Sequence, residues 1–293
     1  MNLEEKITIF IIIYYNSNNL LNNLNNLKNI KIIIVDNGGN DEILKEIKKK
    51  NFNNIQIIHN KKNIGFGKAF NLAAKFINTK YILLLAPDSL IDIDNIKKLS
   101  DVLDLEENCV ISVPKIYKNN IYKPENRIIP ENEIDTKNYF DSQIKKKLSM
   151  TNPSGNLCIQ CFYGSIMLIR KNYFKNEIFD ERYFLYYEDV ELCKNLWNKK
   201  KSIILVNDTF AYHEQYGSVK KKLSTLFVMN YNFILSKNIY FKKKIYSYLF
   251  IKDTILFLIK TFTNLILFKL QKSIKFFAGF IAYMNYILNK SKF

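Results

Sequence analysis

The sequence predicts an α/β fold, a mainly parallel sheet flanked by helices, with an α-helical C-terminal extension. Three observations lead there. Over the first hundred residues, apolar β-branched runs alternate with stretches of helical periodicity, as in strands joined by helical crossovers. The run from Ile7 to Tyr14 is apolar at nearly every position, which suits a strand covered on both faces. Charge is also unevenly placed. Residues 219–293 hold fourteen lysines, no arginine and one acid, Asp253, and so carry +13 of the chain's +17. Two parts with different tasks are expected.

The elements follow in order. After the first strand, Leu20, Leu21, Leu24 and Leu27 recur at helical spacing. A second strand from Ile30 to Val35 stops at Asp36-Asn37-Gly38-Gly39, residues that favour a turn. A charged helix over about 41–50 precedes a strand from Ile55 to His59. The loop from Asn63 to Gly67 opens a helix through Phe76, and the strand from Tyr81 to Leu85 ends at Ala86-Pro87-Asp88. Ligands of such sheets bind beyond the carboxyl ends of the strands, where Asp36 and Asp88 both fall. From about Ile116 to Asn156 the chain is polar, weakly periodic and interrupted by Pro124, Pro130 and Pro153, which predicts a long binding or lid loop. A strand from Cys161 to Ile169, an aromatic segment from Phe179 to Tyr187 and a helix from Glu188 to about Lys199 come next. Two short strands, from Ser202 to Val206 and from Thr209 to His213, close this part.

Composition bounds the rest. With 48% hydrophobic and 24% charged residues the chain has ample core material, so disorder is not expected over most of its length. Cys158 and Cys161 have C-x-x-C spacing, but no second pair accompanies them; they read as small hydrophobes rather than zinc ligands. The start MNLEEKITIF lacks a basic region and a small-residue cleavage site. Together with the missing disulfide framework this gives the expectation of a cytoplasmic protein. No uncharged apolar run reaches the length of a spanning helix.

Most acids sit on solvated helix faces, whereas Asp36, Asp88, Glu188 and Asp189 abut apolar runs. Asp36 can form the turn or cap a helix, or accept hydrogen bonds from a nucleotide base or ribose. Asp88 can be an N-cap after a proline turn, or a ligand for a divalent cation on a diphosphate. The Glu188-Asp189 pair suits a helix start by charge alone. It also follows aromatic sequence that can desolvate an acid and make it a general base. His213 is either structural or completes a cation site begun by a carboxylate; His59 reads as structural. The loop Asn63-Ile64-Gly65-Phe66-Gly67 leads into a helix whose amides can face an anion. No P-loop, dinucleotide-binding G-x-G-x-x-G after the first strand, or G-x-S-x-G is present, which argues against three large α/β enzyme classes.

Taken in order, several stations resemble the family 2 glycosyltransferases, especially the bacterial branch with rhamnosyl- and galactofuranosyltransferases. They are Ile11 to Asn16, Val35-Asp36-Asn37-Gly38-Gly39-Asn40-Asp41, Asn63 to Asn71, Leu85-Ala86-Pro87-Asp88, Tyr163 to Arg170, Phe179 to Leu192, and His213 to Ser218. The resemblance implies a GT-A fold, Rossmann-like, and inverting transfer of a sugar from a nucleoside-diphosphate donor to a glycan or lipid-linked glycan acceptor. By that analogy Asp36 binds base or ribose, with Tyr14, Asn16 and Asn37 in the same donor pocket shaped by Asn63, Gly65 and Asn71. Asp88 holds Mg²⁺ or Mn²⁺ against the diphosphate, with His213 as second ligand or phosphate contact. Asp189 deprotonates the acceptor hydroxyl, assisted by Glu188. The implied catalytic domain is 1–218, with a nucleotide-binding half (1–100) and an acceptor-binding half (101–218), followed by the extension 219–293. Three positions depart from the family pattern: Ala86 where an Asn or Asp is common, Asn195 where Arg is usual, and Gly39 in place of Ser. The first leaves Asp88 without an acidic neighbour. A silent nucleotide-sugar-binding or scaffold protein is therefore the competing expectation.

In the extension, Lys220-Lys221-Lys222 and Lys242-Lys243-Lys244 flank aromatic, helix-compatible sequence, followed by helical runs from Tyr246 to Leu270 and Phe276 to Asn289. Lysines among Phe, Tyr and Leu fit an anionic membrane surface, and with it a peripheral place on the inner face of the cytoplasmic membrane. A helical cap with a solvated lysine face is the alternative. Nucleic acid is not expected as a partner, since the basic region has no arginine and no recognised binding motif precedes it.

Overall fold

The structure, a computed structural model, describes residues 2–14, 18–38, 41–50, 52–118, 121–123, 128–131, 155–162, 164–175, 177–213 and 222–292. Contacts divide the chain into two compact units, 1–180 with 189–218 and 181–188 with 219–293.

The first unit holds α1 (Leu3–Lys6), β1 (Ile7–Ile13), α2 (Asn18–Asn26), β2 (Lys31–Asp36), α3 (Asp41–Lys49), β3 (Ile55–His59), α4 (Phe66–Ala74) and β4 (Tyr81–Leu85). It continues through β5 (Ser89–Leu90), α5 (Ile93–Leu105), β6 (Cys109–Lys118), β7 (Ile121–Lys123), β8 (Leu157–Ile159) and β9 (Ile166–Arg170). Then come α6 (Glu188–Asn198), whose first residue belongs to the second unit, and β10 (Ser202–His213). Among the described residues the strands form one sheet in the order β3-β2-β1-β4-β9-β6-β10-β5, with β7 on β6 and β8 on β10.

Strands β3, β2, β1 and β4 run parallel, as the sequence predicts. Beyond β4 the sheet is mixed. Strand β9 is antiparallel to both β4 and β6, and β10 is parallel to β6 but antiparallel to β5 and β8. The turn Gly164–Ser165 explains the reversal. The Ala86 amide, just past β4, donates to the Ser165 carbonyl at 2.8 Å, so β9 starts where β4 ends and must run back along it. The strand expected from Cys161 to Ile169 therefore begins only at Ile166, as β9, and β8 lies ahead of the expected start. The two short strands expected after α6 are one, β10, with a register irregularity between Val206 and Phe210. There the Thr209 hydroxyl donates to the Val206 carbonyl at 2.7 Å. The long loop expected from Ile116 begins instead as the end of β6 and the return strand β7; most of its remainder lies outside the described residues.

Ile9, Ile11, Ile32, Ile34, Leu83 and Leu85 are fully buried in one core with Leu20, Leu24 and Leu27 of the leucine repeat. Each contributes about 1.5–3 kcal/mol of burial. At the opposite end of the sheet from its ligand edge, Asp104 of α5 accepts from Lys6 and Tyr81, each at 2.7 Å, and from Lys80. Arg170 donates to the carbonyls of Leu103, Glu106 and Cys109, satisfying orphan acceptors at the end of α5.

The second unit contains α7 (Leu223–Tyr240), α8 (Tyr248–Ile266) and α9 (Leu270–Asn289). Helix α9 packs on both α7 and α8. A Cβ added at Gly279 of α9 would lie 2.1 Å from the Phe257 ring of α8, so only glycine allows that approach. The segment 181–188 groups here through its rings: Tyr186 meets Phe233 at 5.7 Å, and Tyr187 meets Tyr240 at 5.3 Å.

Burial alone would push the Asp104 carboxyl up, but Lys6, Lys80 and Tyr81 outweigh it and hold it well below the usual carboxylate range. A depressed folded value stabilises above the unfolded value and is lost as pH falls. Asp104→Asn therefore melts lower than the parent at neutral pH, and the gap closes below about pH 4, as thermal melts across that range read out. Gly279→Ala costs about 1–3 kcal/mol, measured by urea unfolding.

Candidate functional site

Strand β1 lies between β2 and β4, and the chain leaves it in both directions across the sheet. A topological switch point opens a crevice at the carboxyl ends of the adjoining strands. The side chains of Asp36 and Asp88 are placed by the ends of β2 and β4.

Asp36 is the last residue of β2 and fully buried. Its register partner on β3 is His59, whose Nδ1 lies 2.6 Å from Asp36 Oδ2. The other oxygen, Oδ1, accepts from the Gly38 amide at 3.4 Å. The sequence reads His59 as structural; the parallel register of β2 and β3, both ending on a titratable residue, is what sets it against Asp36.

Asn37 is buried and fully engaged. Its Nδ2 donates to Asn63 Oδ1 at 2.9 Å and to the Gly65 carbonyl at 3.1 Å. Its Oδ1 accepts from Asn60 Nδ2 and the Ile64 amide, both at 3.1 Å. Asn63 Oδ1 accepts in addition from the Gly65 amide at 2.9 Å. Gly65 has φ 89°, a left-handed value suited to glycine. These contacts fix the loop 60–65 that leads into α4. Tyr14 follows β1, and a Cβ at Gly38 would meet its ring at 3.2 Å, so the tyrosine packs over that turn. Asn71 of α4 donates to the Phe179 carbonyl at 2.8 Å and accepts from the amides of Ile178 and Phe179, each at 3.1 Å. The structure thus uses Asn71 to anchor the bend at 178–179. Asn16, Gly39, Tyr163 and 214–218 lie outside the described residues.

Asp88 sits in a turn closed by the Ser89 amide donating to the Ala86 carbonyl at 3.0 Å, with Pro87 in the position that favours its fixed φ. The carboxylate is nearly buried. Pairing of β5 with β10 sets Ser89 opposite His213 and brings His213 Nε2 to 3.2 Å from Asp88 Oδ1. A carboxylate oxygen and an imidazole nitrogen so close form a donor pair suited to a Mg²⁺- or Mn²⁺-type ion. Among the described residues no cluster of three such side chains occurs.

Asp189 is the second residue of α6. Its Oδ2 accepts from the Gly164 amide at 3.1 Å and its Oδ1 from the Val190 amide at 2.9 Å. A Cβ at Gly164 would stand 3.1 Å from Asp189 Cβ, so the glycine admits the carboxylate. Ionised oxygens keep further acceptor capacity after one bond each. Glu188 is buried in the second unit. Just before it, Tyr186 and Tyr187 hold φ of 68° and 67°, a costly left-handed conformation at about 1–3 kcal/mol each. Cys161 is buried and Cys158 exposed. Burial, then the neighbouring Cys161 thiol, raises the Cys193 thiol well above its ordinary range, as befits core hydrophobes.

An open cleft of about 540 Å³ is lined by Asn23, Asn26, Asp92, Asp94, Phe210 and Tyr212 among others. Side chains alternate along a strand, so Phe210 and Tyr212 project from the face of β10 opposite His213.

The profile of glycosyl transferase family 2 matches residues 8–176. The chain belongs to this family. A search of the curated proteins found no match. Similar solved structures include GalNAc-T7 with UDP, GalNAc and Mn²⁺ (TM-score 0.55, 12% identity, covering 71% of this chain and 43% of that one). S. aureus TarS gives TM-score 0.52 and 17% identity over 78% of this chain and 65% of that one. The mannosyltransferase PcManGT from Pyrobaculum calidifontis, in complex with GDP-Man and Mn²⁺, gives 0.53 and 10% over 80% and 64%. The family 2 chain therefore spans less than two thirds of the length of these structures, and at such identities the likeness is one of fold. That fold is GT-A, with a helical C-terminal extension.

Removing the Asn37 amide strands the Asn60, Ile64 and Asn63 groups it satisfies. Asn37→Ala therefore loses about 1–3 kcal/mol of stability in denaturant titrations, with loop 60–65 exchanging amide protons faster than in the parent.

Proposed function

We propose that this chain is an inverting glycosyltransferase that moves a sugar from a nucleoside-diphosphate donor to a hydroxyl of a growing cell-surface glycan, such as an O-antigen or capsule. The Asp88–His213 pair, assembled at 3.2 Å by the pairing of β5 with β10, carries this reading. The fold relatives support it, being bound to UDP, UDP-GlcNAc or GDP-Man, two of them with Mn²⁺. The motif pattern favours dTDP-rhamnose or a UDP-sugar as donor and the rhamnosyl/galactofuranosyl branch of the family. A peripheral place on the inner face of the cytoplasmic membrane would give access to a lipid-linked acceptor.

In this reading Asp36, paired with His59, accepts hydrogen bonds from the base or ribose, with Tyr14 and Asn16 as further donor contacts. Asn37, Asn63 and Gly65 position the loop that borders the donor, and Asn71 braces α4 behind it. Asp88 and His213 would hold Mg²⁺ or Mn²⁺, which would supply positive charge to offset that of the leaving diphosphate. Asp189 takes the acceptor proton as the hydroxyl oxygen attacks the anomeric carbon. The bond to the diphosphate oxygen breaks on the opposite side, which inverts the configuration. Gly164 fixes the Asp189 carboxylate through its amide, and Glu188 assists from the adjoining position.

Asp189→Asn lowers transfer by about 10²–10⁴-fold while calorimetry still detects nucleoside-diphosphate binding. Transfer at the parent rate would remove the base assignment. Asp88→Ala abolishes the dependence of turnover on added Mn²⁺; an unchanged cation response would sink the metal assignment. Binding of nucleotide sugar without any turnover in the parent would leave a silent binding protein instead.

A further inference from the structure

The α8–α9 hairpin is apolar on both sides. Its inner side is accounted for, since Phe250 and Phe257 pack on Tyr283 at 4.8 and 5.6 Å, and the Ser273 hydroxyl donates to the Thr261 carbonyl at 2.9 Å. The outer side is not. Ile255, Ile259, Phe262 and Ile266 recur at spacings of four and three residues, one stripe of a helix, and they are 53%, 56%, 56% and 75% exposed. At the turn into α9, Phe268 is 95% exposed and holds a left-handed φ of 54°. A helix that is apolar all round is ordinarily buried. A contiguous exposed patch of this kind marks an interaction site.

Charge selects the partner. Lys252, Lys260, Lys269, Lys272 and Lys275 are exposed on the same hairpin. Its one acid, Asp253, is engaged by Lys243 at 3.6 Å and by the Tyr283 hydroxyl at 3.3 Å. A second copy seated on this face would set lysines against lysines with no exposed acid between them, which is repulsive. An anionic lipid surface complements them. Lysine stems can lie along apolar surface while their ammonium groups reach phosphates; Lys260 Nζ already stands 5.3 Å from the Phe276 ring. No helix among the described residues is long and apolar enough to cross a membrane, so the hairpin would lie in the interface.

We propose that the outward stripe of α8 and the Phe268 turn insert into the headgroup–acyl boundary of an anionic bilayer, with the flanking lysines on the lipid phosphates. This deepens the membrane placement proposed above by naming the surface that makes it, and it does not depend on the transfer chemistry.

Co-sedimentation of the full chain with vesicles tests it. Mixed phosphatidylcholine–phosphatidylglycerol vesicles should bind it at least about tenfold more tightly than phosphatidylcholine alone, with the difference shrinking in high salt. The combined substitution Ile259→Asp, Phe262→Asp and Ile266→Asp should lower binding to mixed vesicles at least about tenfold while circular dichroism and the thermal midpoint stay those of the parent. Lys252→Gln with Lys260→Gln and Lys269→Gln should erase the preference for anionic lipid. The proposal is overturned if the chain stays in solution with both vesicle types, or if the triple aspartate variant binds as the parent does. It is also overturned if the parent is a dimer that this variant splits and no vesicle is bound, which would assign the face to a second copy. Donor hydrolysis by the aspartate variant, measured in parallel, reports on the sugar-transfer reading separately.

Discussion

Burial of β1 between two parallel neighbours governs the first unit. A parallel strand covered on both faces admits almost no polar side chain along its length, and β1, β2 and β4 comply with near-unbroken Ile, Leu, Phe and Val. Polar chemistry is thereby expelled to each strand's end and the positions past it. Asp36 is the last residue of β2, Asn37 follows it and Asp88 stands three residues past β4, and the loops they enter carry the remaining candidate residues. The same constraint sets the register between β2 and β3 that joins Asp36 to His59.

Local features of this arrangement were legible. Strand ends at Asp36 and Asp88, the glycine at Gly65 and the helix beginning at Glu188 follow from periodicity and turn chemistry over a few residues. Contacts between distant segments were not. Nothing near Asn71 announces that its amide will bind the backbone at 178–179, and only the family resemblance, not the residues around it, paired His213 with Asp88. The reversal of β9 was hidden for the same reason, because it depends on the pairing of β9 with β4 and β6. Asn37 shows a further limit. Its place beside Asp36 suggests ligand contact, yet its four bonds run to its own protein, a distinction that only the partners reveal.

Asp88 and Asp189 illustrate two ways of holding a carboxylate. Asp88 is placed by a proline turn and an edge-strand pairing, so its position depends on elements far apart in sequence. Asp189 is placed by a helix start and by the bare Cα of Gly164, which leaves room where any side chain would intrude. Rigid elements fix both, which suits groups that must meet a substrate at defined geometry.

The rings of Tyr186 and Tyr187 rest on Phe233 and Tyr240, although these tyrosines sit in sequence between β9 and the helix that begins at Glu188. The extension is therefore not an appendage that can be trimmed at its apparent start. Cutting the chain after residue 218 would take away the aromatic wall that holds two left-handed tyrosines in place, and the strained pair they form directly precedes Glu188. In modular terms, the tail takes in eight residues from the middle of the chain, so a cut between the two parts in sequence is not a cut between them in structure.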